Sequence, residues 1–133
     1  MKNYADTLRE YNLKATPQRL EISSALDRYG HVNIDNLYEM MLKKFNSISL
    51  ATIYKNINLM VTNRYIQEVK IPNAKSVYEL TKEAHAHMVC LKCSNIEDIS
   101  IDTTNIASQL SNTTDFKTQK IDIVISGICK NCQ

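Results

Sequence analysis

The 133-residue chain has the length of one ordinary domain or of two small ones sharing an interface. Its 44% hydrophobic and 23% charged residues are globular values that exclude a wholly disordered chain, and no run approaches the roughly 18 apolar residues of a membrane span. The net charge of +2 singles out no partner: residues 1–80 hold eleven Lys/Arg against eight Asp/Glu and residues 81–133 five against six, an imbalance that fits nucleic-acid binding by the first part and equally fits chance.

The opening MKNYADTLREYNLK intersperses charges and has no apolar core, so it reads as neither signal peptide nor anchor, and a cytoplasmic protein is expected. Asn3 to Asn12 carries Tyr4, Leu8 and Tyr11 at helical spacing. Thr16-Pro17 then starts a second helix, as N-cap and first helical residue, which turns Leu20, Ile22, Ala25 and Leu26 inward and stops near Tyr29 at Gly30. A third helix fits Ile34 to Lys44, capped by Asn33, with Leu37, Met40 and Met41 as its buried stripe.

A fourth helix follows Ser49 and runs from Leu50 to Thr62. Leu50, Ile53, Ile57 and Met60 make its apolar face, and the other shows Thr52, Tyr54, Lys55, Asn58 and, near the end, Arg64, with no acidic residue. Such a face can lie in a major groove beside phosphates, or it is an ordinary solvated surface. The chain must turn sharply near Asn63, which tolerates a left-handed conformation. Two strands, Tyr65–Ile71 and Ser76–Leu80, flank the turn Pro72-Asn73-Ala74-Lys75. Helices followed by a hairpin give a winged helix-turn-helix pattern, in which the last helix reads the groove.

Beyond Leu80 the cysteines take over, as Cys90-x-x-Cys93 and Cys129-x-x-Cys132. In a chain without an export signal disulfides are a poor explanation. Matched CxxC pairs are the usual way to build a closed tetrahedral thiolate site for zinc, with redox-active or core cysteines as alternatives. In the preceding strand, Ala84–Cys93, His85 and His87 lie two apart and so point to one side. They can serve a second metal, or they are a pair of surface histidines. Ile96–Ile101 reads as a strand, Thr103–Leu110 as a helix and Thr118–Ile128 as a long strand, in which Ile121, Ile123 and Ile125 make a well-buried face. So small a sheet predicts completion by a second subunit.

Catalytic patterns fail. A zinc deaminase needs His-x-Glu and Pro-Cys-x-x-Cys, whereas His87 follows His85-Ala86 and Val89 precedes Cys90. Neither CxxC opens a helix in a βαβ setting, as a thioredoxin-like enzyme requires. No catalytic residue, small-molecule substrate or membrane partner is expected.

Along nearly its whole length the chain resembles the ferric uptake regulator family, in the segments LKATPQRLEISSAL, GHVNIDNLYEMM, SLATIYKNINLM, HAHMVCLKC and CKNC. The resemblance implies an α+β protein: an N-terminal winged helix-turn-helix DNA-binding domain over residues 1–80, hinged to a C-terminal α/β dimerisation and metal-binding domain over residues 81–133. It makes Cys90, Cys93, Cys129 and Cys132 the ligands of structural zinc (Zn2+). It assigns His31, Glu79, His85, His87 and Asp98 to a regulatory metal, for which nitrogen and oxygen donors suit Fe2+ or Mn2+. Tyr54, Lys55 and Asn56 are expected to face operator DNA, with Ser49, Thr52 and Arg19 completing the contact set. Such a homodimer is a metal-dependent repressor.

The branch within the family is mixed. Asp98 and the reduced motif Ala84-His85-Ala86-His87 resemble peroxide sensors, in which oxidation of His31 or His85 beside bound iron releases DNA. Glu79 resembles iron-responsive repressors, which act by reversible occupancy. Peroxide sensing is the favoured expectation. Asn33 stands where Ser or Thr is usual, and Ser94 where Gly follows the CxxC, the latter adding strain to a turn.

Overall fold

A computed structural model describes residues 3–133, which form two compact units divided between Thr81 and Lys82. In the first, α1 (Tyr4–Glu10), α2 (Pro17–Tyr29), α3 (Ile34–Leu42) and α4 (Leu50–Thr62) pack with a small sheet of β1 (Val32–Asn33), β2 (Ile66–Val69) and β3 (Val77–Leu80). Thr16, Asn33 and Ser49 each accept a hydrogen bond from the backbone N–H three residues on, so the caps fall where the residue types place them. Gly30 ends α2 at φ 78°, and turns the chain into β1.

Leu8, Ile22, Leu26, Leu37, Met41, Ile53, Ile57 and Met60 are buried together, which is the apolar stripe of every helix meeting at one core. Leu50 is a correction: it is 38% exposed, because the first residue of α4 projects beyond the core that Ile53 reaches one turn later. The left-handed turn also lies one residue beyond its expected place. Asn63 keeps φ −84°, and Arg64 takes φ 66°. Arg64 N–H then donates to Val61 O and Tyr65 N–H to Met60 O, a Schellman closure sealed by buried Met60 and Tyr65. Asn63 acts through its side chain instead, whose amide donates to Tyr11 O at 3.0 Å and ties the end of α4 to the end of α1.

The sheet order is β1-β3-β2, all antiparallel. The hairpin β2–β3 is the expected one, with β2 shortened at both ends, β3 at its start only, and Asn73 left-handed at the turn. β1 has no counterpart in the sequence reading, since a two-residue strand has no periodicity to read. Its pairing of Val32 with Tyr78 nevertheless fixes how the loop before it meets β3.

The second unit holds β4 (His85–Cys90), β5 (Ile96–Ser100), α5 (Thr104–Thr113), β6 (Val124–Gly127) and a 3-10 turn, Lys130–Cys132. Its sheet order is β5-β4-β6, with β4 antiparallel to β5 and parallel to β6. The long strand expected over Thr118–Ile128 is confined to Val124–Gly127. His87 pairs with Val124, so residues before Asp122 run past the start of β4 and have no ladder to join. The expected buried face is also corrected: Ile121 and Ile123 are only partly covered and Ile125 is 44% exposed. α5 buries none of its residues, and Ile106, Leu110 and Phe116 are exposed with Ile125. Among the described residues no helix is long and apolar enough to cross a membrane.

The buried Tyr65 hydroxyl donates to Ser23 Oγ at 2.7 Å, which donates in turn to Arg19 O at 2.7 Å. Tyr65→Phe removes the first donor while keeping the ring, and should destabilise the first unit by about 1 kcal/mol. A lower urea midpoint with an unchanged slope is expected; an unchanged midpoint would show that the relay contributes nothing.

Candidate metal centres and nucleic-acid interface

The thiolate cluster joins the ends of three strands. Cys90 is the last residue of β4, Cys93 lies in the turn to β5, and Cys129 and Cys132 bracket the tight turn after β6. Ser94 adopts φ 64°, the left-handed conformation expected where glycine is usual, and its N–H donates to Cys90 O. All four Sγ atoms lie within 4.8 Å of one another, and Cys93 Sγ is 3.7 Å from Cys129 Sγ. A tetrahedral ion with bonds near 2.3 Å sets its sulfurs about 3.8 Å apart, so the four cysteines fit zinc.

Backbone dipoles prepare the cluster for charge. Cys90 Sγ accepts from the N–H groups of Cys129 (3.4 Å), Cys93 (3.5 Å) and Lys92 (3.4 Å), which lower its pKa to about 6, Cys129 contributing most. Cys132 is pushed the other way, to about 12, by its hydrogen bond with Cys129 and then by Cys93. Four adjacent thiols cannot all ionise together unless a cation offsets their repulsion.

Further back along β4 from Cys90, His85 and His87 share a face as the period of two requires. Their Nε2 atoms are 3.0 Å apart. His85 Nδ1 lies 2.8 Å from Glu83 O, and a carbonyl only accepts, so the proton of this ring is on Nδ1 and Nε2 carries the lone pair that can ligate an ion. Asp98 stands opposite His87 in the β4–β5 register, its Oδ1 3.5 Å from His87 Nε2 and 3.7 Å from His85 Nε2. An octahedral ion with bonds of roughly 2.1 Å separates neighbouring ligands by about 3.0 Å, so the imidazole pair suits one and the carboxylate needs a small inward shift.

In the first unit, the β1–β3 register brings His31, one residue before β1, opposite Glu79. His31 Nε2 lies 2.9 Å from Glu79 Oε2. Glu79 is 1% exposed, and Gln67, its partner across the β2–β3 ladder, donates to its other oxygen. Gln67 and the Asp98 partner Lys82 escape a sequence reading, because their roles depend on register and on the course of a loop.

On α4, Tyr54 and Lys55 are exposed. Ser49 and Thr52 share a 2.9 Å hydroxyl contact at the helix start, where Ser49 also caps Thr52 N–H. Asn56 and Arg19 are only partly exposed and bind each other: Arg19 Nε donates to Asn56 Oδ1 at 3.1 Å, and Arg19 Nη1 to Lys14 O. Asn56 also donates to Gln18 Oε1 and Thr52 O. Tyr54 and Lys55 are thus presented outward, while Arg19 and Asn56 brace α2 against α4.

The profile of the ferric uptake regulator family matches residues 10–126. The peroxide-responsive repressor PerR of Staphylococcus epidermidis is 30% identical over 129 residues, spanning 96% of this chain and 86% of that protein. The peroxide operon regulator of Bacillus subtilis is 28% identical, spanning 99% and 92%. Among solved structures, the Campylobacter jejuni peroxide stress regulator superposes with a TM-score of 0.77 at 34% identity, over 99% of this chain and 100% of that one. With a profile match and a full-length relative in agreement, the chain belongs to the ferric uptake regulator family.

Proposed function

We propose that this chain is a cytoplasmic, dimeric, metal-dependent transcription repressor that releases operator DNA when peroxide oxidises its regulatory metal site. The observation that carries this reading is the pair of convergent imidazoles on β4, with the His85 lone pair fixed toward His87 and Asp98. Residues 1–80 act as the winged-helix DNA-binding domain and residues 81–133 as the dimerisation domain.

His31, Glu79, His85, His87 and Asp98 serve as the regulatory ligands. Three imidazoles and two carboxylates suit ferrous or manganous ion, whereas four thiolates suit zinc. In a metal-dependent repressor, metal occupancy and DNA affinity are coupled, commonly by about 1–3 kcal/mol. Tyr54 and Lys55 meet the DNA, with the start of α4 at Ser49 and Thr52 near phosphate and Arg19 and Asn56 holding the helix. The exposed Ile106, Leu110, Phe116 and Ile125 support dimerisation, since a second copy would cover them.

A ferrous ion held by these residues would supply one-electron chemistry toward peroxide; in the net reaction peroxide gives one oxygen atom to an imidazole that holds the ion and leaves as water. Oxidation of His31 or His85 would convert a lone-pair donor into a poorer ligand, lowering metal occupancy and with it DNA affinity. Asp98 and the peroxide-responsive relatives support this branch. Glu79 supports a second reading, an iron-responsive repressor that acts by reversible occupancy without covalent change.

Cys90→Ser should eliminate zinc and the dimer together, as read by metal content and sedimentation; a zinc-free variant that remains a dimer would contradict the structural role. His85→Ala should keep zinc and fold yet lose metal-dependent DNA binding by at least about tenfold in a gel shift. Full metal-dependent binding by that variant would remove His85 from the ligand set.

A further inference from the structure

Asp98 divides its two carboxylate oxygens between opposite partners. Oδ1 faces the His85 and His87 imidazoles, while Oδ2 accepts a hydrogen bond from Lys82 Nζ. The Lys82 side chain is 49% exposed and that of Asp98 28%, so the ammonium reaches a proposed metal ligand from the solvent side. Within this unit the groups facing Asp98 include two imidazoles and the Lys82 ammonium.

We propose that Lys82 is an affinity-setting residue of the regulatory site, a tethered cation that competes with the metal for Asp98. The inference rests on Asp98 being a ligand of that site. Without a bound ion, Lys82 neutralises the carboxylate and holds it in place. With one bound, Lys82 keeps Oδ2 engaged, leaves Oδ1 as the single ligating oxygen and adds a positive charge one carboxylate away from a dication. Glu79 and Asp98 balance the charge of a divalent ion when the imidazoles are neutral, so the ammonium leaves the assembly with a net positive charge. In the water-like dielectric of a half-exposed site, a unit charge so placed weakens divalent binding by about tenfold. The repulsion is screened by salt. Lys82 thus raises the metal concentration at which the site fills, which is a means of setting a sensor's threshold without altering a ligand.

The test is titration of the zinc-replete full-length protein with Mn2+, following free Mn2+ by electron paramagnetic resonance. Lys82→Met and Lys82→Gln should bind Mn2+ about tenfold more tightly than the parent at low salt, and the gap should narrow as salt rises. Lys82→Arg, which keeps the charge, should stay within about twofold of the parent. Unchanged or weaker binding by both neutral variants would overturn the proposal, weaker binding meaning that Lys82 only positions Asp98. Parent protein that binds no Mn2+ beyond its zinc, or Asp98→Asn that binds as well as the parent, would instead overturn the ligand assignment beneath it.

Discussion

Strand register decides which candidate metal-ligating side chains of this chain meet. Along a strand the side-chain period is two, so a slip of one residue would carry Glu79 or His87 to the opposite face of its sheet. In the second unit the register is pinned by the thiolate cluster itself. The link from β4 to β5 runs through Cys90, Cys93 and left-handed Ser94, and the Cys90 N–H donates to Asn95 O. Cys129 follows β6, whose Gly127 pairs with Cys90 and accepts from Leu91 N–H. A zinc ion held by these cysteines would clamp the ends of all three strands, and through the β4–β5 ladder would hold Asp98 opposite His87. The four cysteines and the His85–His87–Asp98 group differ in chemistry, but the register held at the first sets the geometry of the second.

The first unit reaches its register by other means. Gly30 turns left-handed, β1 pairs for two residues with β3, and His31 then falls beside Glu79. A buried carboxylate requires polar partners; Gln67 donates to Glu79 from β2, and His31, just before β1, brings its imidazole against the other oxygen. The same core that seats β3 also presents α4, because Ile53, Ile57 and Met60 fill it and leave Tyr54 and Lys55 outside. Arg19 and Asn56 stiffen that presentation. The edge that carries His31 and Glu79 and the exposed face of α4 are thus products of one packing arrangement.

Much of this is legible in local chemistry. Thr16, Asn33 and Ser49 declare helix starts because a short side-chain oxygen is what an unsatisfied N-terminal N–H needs, and paired CxxC motifs declare a tetrahedral thiolate site. What is not legible depends on partners distant in sequence. Residue type favours Asn63 as the left-handed residue, but its amide is committed to Tyr11 O, and Arg64 closes the helix although it lacks glycine's freedom. The apolar residues of Thr118–Ile128 suggest a long strand, yet a strand extends only as far as its neighbour, and β4 begins at His85. Their exposure is itself informative, since alternation reports that a face is apolar but not which chain covers it. His31 and Glu79 are accessible only through family resemblance, for a loop histidine and a strand glutamate carry no local signature of metal binding.

If the chain is the peroxide sensor proposed above, its histidines are the elements that peroxide changes. Intact-protein mass spectrometry with peptide mapping reads that change, after anaerobic loading with ferrous or manganous ion and a brief stoichiometric peroxide pulse. One added oxygen is expected on His31 or His85 of the iron-loaded protein, with a parallel loss of DNA binding and no change in the manganese-loaded protein. Unmodified histidines, with DNA binding that simply follows iron occupancy, would contradict peroxide sensing and make the chain an iron-responsive repressor.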